Sequence, residues 1–170
     1  MAYELAEQTP GGLPDVIVYP TGGGTGLVGM WKAFGELRRL GWLAPDARLP
    51  RLVSVQVAGC APVVKGFLDG ARSTEPWPSP HTRAWGLRVP SPIGGFLCLQ
   101  ALRDTAGTAL AVSEEAMSEH TRALAARSGL DVCPEGGAAW AATGQLIESG
   151  WIRPGERVVV FNTGTGLKYR

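Results

Sequence analysis

A chain of 170 residues, 45% apolar and 18% charged, has the composition of an ordinary globular domain with a real core. A formal net charge of +1 and the lack of any basic run exclude a general nucleic-acid or membrane surface. Apolar runs stay far below spanning length, and the opening Met1-Ala2-Tyr3-Glu4-Leu5 carries no apolar signal core, so the default expectation is a cytoplasmic protein.

In chain order, Ala2 to Gln8 reads as a short helix ended by Thr9-Pro10-Gly11-Gly12. The β-branched run Val16-Ile17-Val18-Tyr19 reads as a strand and runs through Pro20-Thr21 into Gly22-Gly23-Gly24-Thr25-Gly26. A helix is expected from Leu27 to Leu40. Its Leu27, Met30, Trp31, Phe34 and Leu37 recur on one face, with Lys32, Glu36 and Arg39 opposite and Gly41 as the stop. Leu52 to Val57 is a second strand candidate, followed by Gly59 and a short apolar segment from Val63 to Leu68. Residues 73–92 hold five prolines between Pro76 and Pro92 and no clean period. Trp77, Trp85 and Leu87 favour an ordered loop over a site rather than a free linker.

Regular patterning resumes with a helix from Phe96 to Ala106 and a strand from Thr108 to Val112. Ser113 is an N-cap candidate with Glu114 and Glu115 in the first turn, heading a helix to about Arg127. Val132 forms a short edge before Pro134-Glu135-Gly136-Gly137, and a helix follows from Ala138 to about Ser149. Arg157 to Phe161 is a buried-strand run that ends in Asn162-Thr163-Gly164-Thr165-Gly166. Strands and helices thus alternate. The expected class is α/β, a parallel sheet with helices on both faces. Both glycine-threonine loops follow strands, so both open on the carboxyl edge, where such sheets bind ligands.

The first loop aims backbone N–H groups and a helix N-terminus at one point, which suits a phosphate. Gly24-Thr25-Gly26-Leu27-Val28-Gly29 satisfies G-x-G-x-x-G, but the next strand ends Gln56-Val57-Ala58-Gly59 without the acid a dinucleotide ribose requires. No lysine follows the glycines, which removes the P-loop reading. Cys60, Cys98 and Cys133 match no zinc spacing and read as reduced thiols in or near a core. His81 and His120 are isolated, and no metal site is expected.

The stretch Tyr19-Pro20-Thr21-Gly22-Gly23-Gly24-Thr25-Gly26-Leu27-Val28-Gly29-Met30-Trp31-Lys32-Ala33-Phe34 resembles the cofactor-phosphate loop and helix of threonine synthases. These are fold type II, tryptophan-synthase-β-like pyridoxal-phosphate enzymes. The tail, Pro134-Glu135-Gly136 through Val158-Val159-Val160-Phe161-Asn162-Thr163-Gly164-Thr165-Gly166-Leu167-Lys168-Tyr169, is similar to the end of the same enzymes. Serine/threonine dehydratases carry comparable glycine loops, and Leu167-Lys168-Tyr169 tilts the resemblance towards threonine synthase. It implies part of a fold type II large domain with pyridoxal 5′-phosphate as cofactor. Thr21, Gly22, Gly23, Gly24, Thr25 and Gly26 would hold the 5′-phosphate, and Thr163 would face the pyridine nitrogen. The complete enzyme would turn O-phosphohomoserine and water into threonine and phosphate.

A pyridoxal enzyme also needs a Schiff-base lysine. Of the three lysines, Lys32 lies on a polar helix face, Lys65 follows a strand in no recognisable motif, and Lys168 belongs to the terminal motif. None fits, so no catalytic residue is assigned. The resemblance implies that residues 1–170 are the C-terminal half of such an enzyme, with the lysine-bearing N-terminal half absent. Isolated, this half should bind the cofactor weakly and turn nothing over, and its sheet edges should be prone to association. The expected partners are a small-molecule substrate and a complementary N-terminal half, with a homo-oligomer allowed. A dehydratase-like lyase and a non-catalytic phosphate-ligand or partner-binding module stay open as alternatives.

Overall fold

The computed structural model describes residues 1–169. Four strands pair in parallel in the order β3-β2-β1-β4: β1 Val16–Pro20, β2 Arg51–Val57, β3 Thr108–Val112 and β4 Val158–Val160. Val18 stands opposite Val53 on one side and Val160 on the other. Side chains alternate across the sheet. Ile17 and Leu52 enter one core, while Val16, Val18, Val53, Val55 and Val57 enter the other.

The first core is closed by α1 Ala2–Gln8, α2 Thr25–Arg39, α3 Pro62–Leu68 and α4 Gly95–Asp104. From α2 it takes Leu27, Met30, Phe34 and Leu37, all fully buried or nearly so; Trp31 packs against the rim. The second core is closed by α5 Glu114–Ser128 and α6 Pro134–Glu148, through Met117 and the alanines Ala138, Ala139, Ala141 and Ala142. Small residues let α6 lie close to the sheet. Helices therefore cover both faces, as the alternation of elements predicts. No helix among the described residues is long and apolar enough to cross a membrane.

Three differences from the sequence reading have local causes. The helix expected from Leu27 starts at Thr25, because Gly24 adopts φ +87° as its N-cap and lets the chain turn directly into helical geometry. The helix expected from Ala138 starts at Pro134, whose fixed φ suits a first helical position; the glycines after it are helical, not a turn. The apolar segment 63–68 is a true helix headed by Pro62 and tied down by Gln56, whose Oε1 accepts from the amides of Val63 (2.9 Å) and Val64 (3.1 Å). Ser113 caps α5 as its sequence indicates, accepting from the Ala116 amide at 3.1 Å.

The order β2-β1-β4 positions the site. Because β4 pairs directly with β1, the loops leaving these two strands lie side by side on the carboxyl edge. Residues 73–92 pack as an ordered segment with one short 3₁₀ turn at Trp85–Leu87, which buries Leu87 and brings Gly86 against the glycine loop.

Candidate functional site

The glycine loop is anchored at Thr21. Its amide donates to Val55 O (2.8 Å), its hydroxyl to Tyr19 O (3.1 Å), and its carbonyl accepts from Gln56 Nε2 (3.1 Å). Thr21 is fully buried and lies outside the cleft lining. From Gly22 the pattern changes. Among the described residues, no amide from Gly22 to Leu27 donates to a protein acceptor; the first to do so is Val28, to Gly24 O. A series of orphan donors at the start of a helix is an anion seat, reinforced by the positive end of the α2 dipole.

The loop is also shaped by close approach. A Cβ on Gly24 would stand 2.1 Å from Cys98 Sγ, and one on Gly22 would stand 2.0 Å from Gly86 O. Gly23, by contrast, has nothing within 4 Å of where a Cβ would be. Thr25, exposed at the first helical position, keeps a hydroxyl that bonds no described residue.

These residues form one wall of a cleft of about 380 Å³. The facing wall comes from the segment after β4 and from the start of α6: Cys133, Glu135, Thr163, Gly164, Thr165, Lys168 and Tyr169. Gly86 and Leu87 close one side, and Tyr19, edge-on to Phe161 at 5.3 Å, lines the floor. Thr163 is exposed, and its hydroxyl lies 3.9 Å from Cys133 Sγ. Of the residues expected at the site, Gly22, Gly23, Gly24, Thr25, Gly26 and Thr163 share this cleft, and Thr21 supports it from below.

Several lining residues escaped the sequence reading. Glu135 is 4% exposed, yet its Oε1 accepts from the Gly86 amide (2.9 Å) and from Tyr169 OH (2.6 Å), so one carboxylate ties three distant segments together. Burial first, and then this carboxylate, push the Tyr169 phenol well above its ordinary range, so it is a firm donor. Burial also raises the thiols, Cys98 to about 11 and Cys133 above its usual value; both stay protonated at neutral pH. The sequence offers Glu135 only a weak local signal, an acid in a proline-glycine turn, because its bonding partners lie 49 and 34 residues away. All three cysteines are free and buried, but Cys133 is a cleft residue as well as a core one. No cluster able to hold a metal ion exists among the described residues.

Lys32 pairs with Glu36 on the outer face of α2, and Lys65 pairs with Asp69 (2.8 Å) and Glu75 (3.3 Å). Lys168 alone among the lysines reaches the cleft.

Residues 1–164 match the family described as pyridoxal-phosphate dependent enzymes. The chain is 31% identical over 168 residues to threonine synthase of Methanocaldococcus jannaschii and 33% identical over 168 residues to that of Methanosarcina acetivorans. In each case 99% of this chain aligns with 41% of the relative, so it spans about two fifths of their length. Among solved structures, a T.th. threonine deaminase superposes with TM-score 0.68 at 28% identity, over 92% of this chain and 52% of that one. A fungal L-serine ammonia-lyase from Rhizomucor miehei gives TM-score 0.74 at 22% identity, over 99% and 53%, a likeness of fold.

Proposed function

The chain belongs to the pyridoxal-phosphate dependent enzyme family, and from that membership we propose that it is the cofactor-holding segment of a threonine-synthase-like lyase. One observation carries the reading: amides of an anion seat and the Thr25 hydroxyl, all without partners among the described residues, line a single cleft on the carboxyl edge of a parallel sheet. That donor set fits pyridoxal 5′-phosphate. The amides of Gly22 to Gly26 and the Thr25 hydroxyl would hold the 5′-phosphate, while Thr21 fixes the loop. Thr163 would offer its hydroxyl to the pyridine nitrogen. A hydroxyl there, in place of a carboxylate, leaves that nitrogen largely unprotonated and tempers the electron sink, which suits β/γ-elimination and replacement.

When bound, the cofactor supplies a sink for electrons released at an amino-acid α-carbon. The chain's own contribution is to bind and orient it. Glu135, held by Gly86 and Tyr169, keeps the far wall in register with the glycine loop, and Leu87 screens one side from water. The activity proposed for the complete enzyme is conversion of O-phosphohomoserine and water to threonine and phosphate. The reactive lysine is assigned to a portion of such an enzyme that residues 1–170 do not include, and a complementary N-terminal half, on the same or a separate chain, is its proposed source.

Titration of the chain with pyridoxal 5′-phosphate, borohydride treatment and peptide mass spectrometry test the reading. Reversible binding without a unique reduced lysine adduct, and no turnover of O-phosphohomoserine, serine or threonine, is the expected result. An adduct confined to Lys168, Lys65 or Lys32 would sink the missing-lysine assignment, and a chain blind to the cofactor would sink the whole reading. A dehydratase-like lyase is the second reading, favoured by the 28% identity to a threonine deaminase. Assays with an N-terminal partner added separate the two: phosphate released from O-phosphohomoserine against 2-oxo acid formed from threonine or serine.

A further inference from the structure

We infer that Lys168 supplies the positive charge for a phosphoryl group bound in the cleft. The inference rests on the cleft being a phosphate seat, and it follows from the balance of charge there. The glycine loop offers only neutral amides and the α2 N-terminus, equivalent to roughly half a positive charge. A phosphate monoester at neutral pH carries about −1.5 to −2. The start of α6 lies on the same cleft, but Glu135 in its first turn adds negative charge there. Even with the α6 N-terminus credited with half a charge, a deficit of roughly 1.5 to 2 elementary charges is left.

Lys168 is the cation available to meet it. Among the described residues lining the cleft, the charged side chains are Glu135 and Lys168. Glu135 is occupied by its two donors, whereas Lys168 forms no ion pair or hydrogen bond among the described residues. Its backbone is not free to drift. Residues Gly166–Tyr169 form a 3₁₀ turn. The Gly166 amide donates to Asp131 O (2.8 Å), the Leu167 amide to Thr165 Oγ1 (3.3 Å), and the Tyr169 hydroxyl to Glu135, with the Tyr169 ring against Trp85 at 5.6 Å. Lys168 also borders the adjoining cavity, which Arg83, Arg122 and Asp131 line, so it stands where the two spaces meet. An ammonium suits this role, because a point charge on a flexible stem needs no fixed bidentate geometry.

The phosphoryl group could belong to the cofactor or to an amino-acid ligand, and two titration arms separate these sources. Wild type, Lys168→Met, Lys168→Arg and, as a surface control, Lys32→Met are titrated with inorganic phosphate, pyridoxal 5′-phosphate and pyridoxal. The cofactor-loaded proteins are then titrated with O-phosphohomoserine. Lys168→Met should weaken a phosphoryl ligand about tenfold, the loss of one charge-assisted contact. Pyridoxal should be unaffected, Lys168→Arg should recover most of the loss, and Lys32→Met should match wild type. Weakening in the first arm assigns the charge to the cofactor's phosphate; weakening confined to the second assigns it to the ligand's. If neither arm weakens, or pyridoxal weakens equally, the inference fails while cofactor binding stands. Should Lys168-dependent phosphate binding persist in a chain indifferent to pyridoxal 5′-phosphate, the cofactor reading fails alone. Binding of no phosphoryl ligand overturns both.

Discussion

The two ends of the sheet are built on opposite principles. At the amino edge of the strands, polar groups are spent on one another. Arg51 donates to Glu156 Oε2 (2.6 Å) and to Trp151 O (3.1 Å) while its guanidinium lies 4.0 Å from the Trp151 ring centre. Arg157 reaches Pro10 O (2.6 Å) and Leu13 O (2.7 Å), and its amide donates to Asp15 Oδ2 (2.8 Å). At the carboxyl edge a run of amides and a lysine are left without partners among the described residues, and glycines bring backbone against backbone. The first edge closes the fold, and the second keeps its donors for something else. Stability and binding should therefore respond separately to substitution at the two ends.

The sharpest break in that comparison is Gly24→Val, which joins both effects. A β-branched residue at φ +87°, aimed at Cys98 Sγ, should cost about 2–4 kcal/mol in urea unfolding and abolish pyridoxal 5′-phosphate binding. Next is Arg51→Met at the opposite edge, which removes a half-buried pair and a ring contact. About 1–2 kcal/mol should be lost, with cofactor affinity unchanged by titration. A loss of cofactor affinity there would erase the distinction between the edges.

Tyr169→Phe should cost about 1 kcal/mol, since Glu135 keeps only the Gly86 amide. It also has a pH signature. Folding raises the Tyr169 pKa above its ordinary value of 10.0, so the folded state favours the neutral phenol. That contribution is complete below pH 10 and is lost as pH rises beyond it, through the folded value. Denaturant midpoints measured from pH 8 upward should fall more steeply for wild type than for Tyr169→Phe. The smallest stability effect belongs to Thr163→Val, within about 0.5 kcal/mol at an exposed position. The same change should shift the absorbance of the bound cofactor and weaken its binding several-fold, by about the worth of one hydrogen bond.

Much of the fold was legible because its signals are local. β-branched runs announced β1, β2 and β4, and the Leu27-Met30-Phe34-Leu37 stripe announced the buried face of α2. The glycine loop and Thr163 could be placed on one edge because each directly follows a strand. Their being adjacent depended on β4 pairing with β1, a long-range choice that no local pattern encodes. The sequence pattern reads the first turns of α2 and α6 as loop for a related reason. Glycine and proline are poor helix formers in the interior but acceptable at the N-terminus, where the amides have no intrahelical partner to lose. Glu135, Gly86 and Tyr169 were opaque because their bonds span 49 and 34 residues. Only the folded chain reveals that a helix start, a proline-rich loop and the terminal turn meet at one carboxylate.

The contact between Gly22 and Gly86 makes the cleft a gauge of fixed width. A single methyl group on Gly22 would meet the Gly86 carbonyl oxygen at 2.0 Å, well inside the 3.4 Å at which ordinary contact begins. To admit it, the proline-rich strap would have to lift and carry with it the amide that holds Glu135. The clearance there is thus set by the side chain that Gly22 lacks, and its tolerance is smaller than one carbon atom.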